Sequence, residues 1–206
     1  MRKLLLIPLG FIAFFSALYL ADQYNKKNYH PTLNEYAEVP DRHLINSIEQ
    51  YLRNEIDKSL ESMEQAIEAI WILEKDMNGV AAIRAEKVAA SLEQLHKKMV
   101  EHSIERGVLL KVFEYSMNNL AYAEILVSQE YANNSKTSEA KKALHFAKSH
   151  ILNNNIFFER IEDSPKPLIN RMDSLLKMER ISDYEYLSLL SEIDKRNQKL
   201  ELSIKF

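Results

Sequence analysis

Along most of the chain apolar residues recur at threes and fours, the spacing of one face of an α-helix. After Pro40 the row Ile45, Ile48, Leu52, Ile56, Leu60, Met63, Ile67, Ile70 and Met77 forms one stripe. Asp41 is placed as its N-cap, and Asn78-Gly79 as the stop that lets the chain turn back. A second row starts at Ala81 and runs through Val88, Leu95, His102, Leu109, Ser116 and Ala123 to Val127 without losing phase at Gly107. A true turn normally resets the phase, so this row predicts one helix over 80–131, about 80 Å long, kinked at Gly107. The competing reading breaks the helix near 103–107 and folds its halves together.

Residues 108–127 are apolar on more than one face, with Val112, Tyr115, Tyr122 and Leu126 outside the main stripe. Such a helix has neighbours on several sides and is expected at the centre of the core. Lys111, Glu114, Asn118, Asn119 and Glu124 interrupt it too often for a membrane span. Residues 133–137, Asn-Asn-Ser-Lys-Thr, read as a loop that also spells a formal glycosylation sequon. Thr137 or Ser138 then caps a helix with Ala140, Leu144, Ala147, Ile151, Asn155 and Phe158 inward, weakened by Asn153, Asn154 and Asn155.

Ser164-Pro165-Lys166-Pro167 is a boundary, because closely spaced prolines deny backbone donors and favour extended geometry before them. Two helices are predicted after it, 167–180 with Leu168, Met172, Leu175 and Leu176 inward, and 183–203 with Tyr186, Leu190, Ile193, Asn197, Leu200 and Ile204 inward. Ser182 and Glu185 supply a capping box between them. Residues 200–206 also alternate with the period of a strand, so a tail ending in Ile204 and Phe206 fits capture by strand addition.

The opposite end changes the compartment. No charged side chain lies between Lys3 and Asp22, and the 18 apolar-rich residues 4–21 would span roughly 27 Å as a helix, close to a bilayer's hydrocarbon thickness. The run exceeds a signal-peptide core, and Tyr19 and Phe15 occupy positions where cleavage after Ala21 or Ala17 needs small residues, so an uncleaved signal anchor is predicted. Arg2 and Lys3 face Lys26 and Lys27, nearly a tie under the positive-inside rule; the short tail 1–3 is assigned to the cytoplasm and 22–206 to the extracytoplasmic side, periplasmic in a Gram-negative cell. Residues 22–40 read as a juxtamembrane linker, 41–163 as a main bundle and 164–206 as a helical hairpin with its tail. Within the linker, Thr32 and Glu35 form a further capping box.

Composition agrees with helices: three glycines and five prolines in 206 residues. Removing Arg2 and Lys3 from the 27 basic side chains leaves 25 against 30 acidic ones, with both signs interspersed, which argues against nucleic acid. Zero cysteines exclude thiol, haem-attachment and iron–sulfur chemistry and suit an oxidising compartment. Glu93 and His96 match the Glu-x-x-His of di-iron bundles, but no second copy exists, and they read as a surface pair. Asp57, Glu61, Glu64 and Glu68 form an acidic edge read as solvated, His102 reads as a core histidine, and Trp71 reads as core filler. No catalytic, cofactor or metal residues are assigned.

The expected fold is therefore all-α: a single N-terminal transmembrane helix, then an elongated, coiled-coil-like antiparallel bundle with a C-terminal helical hairpin. The expected role is non-enzymatic, a scaffold, adaptor or envelope-complex subunit that contacts other membrane or envelope proteins and self-associates. Val112, Tyr115, Tyr122, Leu126, Ile204 and Phe206 are the candidate interaction residues, and no cofactor is assigned. The alternative is a soluble exported domain that binds a small ligand or metal between helices.

Overall fold

A computed structural model describes residues 30–101, 104–155 and 164–204. The predicted anchor 4–21 lies outside them, as do residues 22–29, His102, Phe158 and Phe206. Among the described residues the fold is all-α and no helix is long and apolar enough to cross a membrane. Two 3-10 turns, Pro31–Leu33 and Glu35–Glu38, lead into seven helices: α1 (Val39–Leu52), α2 (Ile56–Glu74), α3 (Gly79–Glu101), α4 (Arg106–Asn133), α5 (Thr137–Asn155), α6 (Lys166–Leu176) and α7 (Asp183–Ser203).

The single stripe predicted from Ile45 to Met77 belongs to two helices. Asn54 takes the left-handed conformation at φ 62°, with its N–H donating to the Tyr51 carbonyl and that of Glu55 to the Gln50 carbonyl. These two bonds close α1 with a Schellman turn, and the chain reverses. The turn spans about one helical repeat, so the apolar spacing survives a change of direction. Leu52 is exposed as a result, while Ile48 and Met63 enter the core. Small residues let α1 and α2 close up: buried Ser47 and Ser59 each donate to the other's carbonyl at 2.8 Å.

Asp41 is not the N-cap of α1. Glu38 holds that position without a side-chain cap bond, and Pro40 and Asp41 lie in the first turn. The long helix predicted over 80–131 is likewise broken, α3 ending at Glu101 and α4 starting at Arg106 from an extended Glu105 (φ −62°, ψ 132°). The Tyr51 hydroxyl donates to the Ile104 carbonyl and pins this connection to the end of α1. Gly107 lies in the first turn of α4, where no kink is needed.

Helix α4 is central because it feeds two cores. Its Leu109, Phe113, Met117, Leu120 and Val127 join α1, α2, α3 and one face of α5 in the first. Its Ala121 and Ile125 join Leu144, Ala147 and Ile151 of α5, Leu168 and Met172 of α6, and Tyr186, Leu189 and Ile193 of α7 in the second. The predicted inward residues of α6 and α7 are thus buried, except that Leu176 and Ile204, at the ends of the two helices, are only half-buried. Ser182 caps α7 by accepting from Glu185 N–H at 3.3 Å, but the Glu185 carboxylate turns away to Arg171, which ties α6 to α7. Helix α7 stays helical to Ser203, so the helical period prevails over the strand period there.

The α4–α5 turn yields a stability test. Ser135 sits at φ 58°, with its own N–H donating to the Ala132 carbonyl and Lys136 N–H donating to the Tyr131 carbonyl, a second Schellman turn. Left-handed geometry costs an L-residue roughly 1–2 kcal/mol, while glycine's greater unfolded freedom returns roughly 0.5–1 kcal/mol of that. Ser135→Gly should therefore stabilise the fold by about 0.5–1 kcal/mol in urea denaturation; an unchanged or lowered midpoint would contradict the left-handed assignment.

Candidate functional site

Helix α2 carries two apolar rows. Met63, Ala66, Ile70 and Leu73 face the core and are buried. Ile67, Trp71 and Ile72 form a second row that stays half-buried, since α1 and α3 cover α2 on its other sides. This row is the floor of a groove of about 600 Å³ between α2 and α3. Glu64 and Glu68 line it from α2, Lys75 from the residue that caps α2, and Glu93 and His96 from α3.

Two sequence features meet here. The acidic edge of α2 supplies Glu64 and Glu68, and the Glu-x-x-His pair of α3 supplies Glu93 and His96. Glu64 Oε1 lies 3.0 Å from His96 Nε2 without making a hydrogen bond, and the Glu64 side chain is still 64% exposed. The Trp71 indole N–H donates to Glu93 Oε1 over a long 3.4 Å. Among the described residues no three side chains of the metal-ligating kinds converge, here or elsewhere. Trp71, read as core filler, is the groove's aromatic floor; the signal that distinguishes it is a second apolar row on a helix whose first row already fills the core.

The candidate interaction residues lie elsewhere, along the seam where α7 crosses α4. Val112 and Tyr115 are buried, and Tyr122 and Leu126 are half-buried within the fold. The Arg84 guanidinium of α3 stacks 4.2 Å over the Tyr122 ring, donates to Asn119 Oδ1 at 3.1 Å and pairs with Asp194 of α7 at 2.7 Å. Ile204 packs half-buried against the first core, and Phe206 is outside the described residues. The apolar surface left over on α4 in the sequence is thus covered by the chain's own α3 and α7.

Two buried polar clusters were not visible as such in the sequence. Asp41 and His150 are both fully buried, 2.8 Å apart from Oδ1 to Nδ1, and Asn153 donates to the other Asp41 oxygen at 2.8 Å. This joins the first turn of α1 to the last turns of α5. At the other cluster, burial pushes the Glu124 carboxyl of α4 well above its ordinary range, and the negative charge of Asp76 adds to the push. Asp76 is itself held by the Thr32 N–H and hydroxyl at 3.2 and 2.6 Å. Neither Glu124 oxygen has a hydrogen-bond partner.

No protein-family model matches the chain, and neither a curated protein nor a solved structure gives a match.

Proposed function

We propose that the chain is a membrane-tethered helical bundle, anchored through residues 4–21 with 22–206 on the extracytoplasmic side, that works without catalysis by contacting other envelope or membrane proteins. The observation that supports this reading is the α2–α3 groove: a half-buried apolar row with a charged rim, on a helix whose core-facing row is already satisfied. Apolar surface left open between polar rims is a usual mark of a binding surface. The role predicted for the α4 residues passes to this groove, since Val112 and Tyr115 are buried by the chain itself.

A photo-crosslinking residue placed at Ile67 or Ile72 should give a discrete adduct in native membranes, and the same residue at exposed Lys142 of α5 should not. Equal adducts at all three positions, or none, would remove the support. Protease should reach the bundle from outside the cytoplasmic membrane only, and alkaline washing should leave the chain in the membrane fraction.

The second reading, a soluble exported domain that holds a small ligand between helices, draws on the same groove, whose volume lies within the roughly 300–1,000 Å³ of ligand pockets. It requires a trimmed N-terminus, so N-terminal sequencing of the native protein separates the two.

A further inference from the structure

We propose that the occupant of the α2–α3 groove is a basic amphipathic helix of a partner protein. An arginine of that helix lies over Trp71 between Glu64, Glu68 and Glu93, and its apolar residues rest on Ile67 and Ile72. This rests on the groove being the contact surface.

The first argument is charge. The rim sets three carboxylates against one ammonium, Lys75, so an approaching acidic segment meets repulsion and a basic one attraction. The second is the floor. An indole presents an electron-rich face that attracts cations, arginine above all, and here the ring is half-buried with carboxylates around it. The rim thereby supplies the charge and the floor supplies the stacking plane for the same guanidinium. The third is length. From Glu64 to Lys75 the groove follows α2 for about 17 Å, roughly three turns of a helix laid alongside, which suits apolar anchors at helical spacing in the partner. An anionic lipid surface is disfavoured by the same carboxylates.

Trp71 is the only tryptophan in the chain, so its emission reports directly on the groove. The full chain, held in a zwitterionic detergent, is titrated with a 14-residue designed helix bearing leucines on one face and arginines beside them. The control peptide replaces each arginine with citrulline, which keeps the shape and removes the charge. The expected result is a saturable change in Trp71 emission with the arginine peptide and at least tenfold weaker binding of the citrulline peptide. Raising the salt should weaken only the former. The combined variant Glu64→Gln, Glu68→Gln, Glu93→Gln should lose the arginine peptide by at least tenfold with its helical circular dichroism unchanged, whereas Lys75→Ala should bind at least as tightly as wild type.

Equal affinity for the two peptides, an unaffected triple variant, or an unresponsive Trp71 overturns the proposal. Crosslinks from Ile67 and Ile72 in native membranes separate it from the broader reading. If those adducts form while the arginine peptide fails, the groove is a contact surface for a partner of other chemistry. If the adduct has the mass of two copies of this chain, the occupant is a second copy and the basic partner is overturned. If both tests fail, both readings fall.

Discussion

Asp41→Ala should lower the stability of the fold by about 2–5 kcal/mol, because two buried groups each lose their acceptor at roughly 1–3 kcal/mol apiece. Asp41 has no exposed side-chain surface, and neither has His150. Both carboxylate oxygens are used, one by His150 Nδ1 and one by the Asn153 amide, each at 2.8 Å. Alanine leaves a ring nitrogen and an amide donor in the interior without the acceptor they share. It also removes a negative charge from the first turn of α1, where the helix dipole favours one. Because a domain of this kind is stable by only about 5–15 kcal/mol, the loss is a large share of the whole. Urea denaturation at constant m-value reads it. In a double-mutant cycle with His150→Ala, the second substitution should cost at least 1 kcal/mol less in the Asp41→Ala background. A loss under about 1 kcal/mol for Asp41→Ala alone would show that the contact does not hold α1 to α5.

Which parts of this fold the sequence made legible follows from what periodicity can register. It registers faces. The inward residues of α6 and α7, the Ser182 cap and the several apolar faces of α4 were all readable, because each is a property of one helix and its immediate neighbours in the chain. Periodicity does not register direction. The turn at Asn54 occupies about one helical repeat and four residues separate Glu101 from Arg106, so the apolar spacing continues across both although the chain changes direction. The better local signal at the first turn was Asn54 itself, a residue that tolerates left-handed geometry, followed by the small, polar Ser59 and Ser62 facing back toward Ser47 and Gln50. Pairings distant in the chain were not legible at all. Asp41 and His150 are separated by 109 positions, and only the docking of the two 3-10 turns on α5, which brings the start of α1 beside it, shows that an apparent cap is a core acceptor. The groove is half legible: its acidic edge, its Glu-His pair and its tryptophan each stand out along the chain, and the α2–α3 packing is what assembles them.

Glu124→Gln should stabilise the protein at pH 7, by up to about 3 kcal/mol. That ceiling is set by the unfolded chain alone: it is the free energy of keeping a carboxyl of ordinary value 4.5 protonated at that pH. Glu124 is fully buried, neither oxygen has a hydrogen-bond partner, and the charge of Asp76 opposes a second one nearby. The folded state therefore keeps the proton that the unfolded chain releases above about pH 4.5. The sign follows: in that window the folded state binds more protons than the unfolded, so wild-type stability declines with rising pH until the native carboxyl ionises. Below pH 4 both states are protonated and the difference between wild type and Glu124→Gln should be flat. Above pH 4.5 it should open in favour of the variant by about 1.4 kcal/mol per pH unit, each kcal/mol worth roughly 2–4 °C of melting temperature for a domain of this size. Glutamine keeps the volume and the unpartnered polar atoms, so the comparison isolates the proton. Asp76→Asn should reduce the same slope only at its upper end, because desolvation, the larger cause, remains in place. A pH-independent difference between wild type and Glu124→Gln would mean that the carboxyl ionises in the fold as it does in the open chain, and that α4 does not bury it.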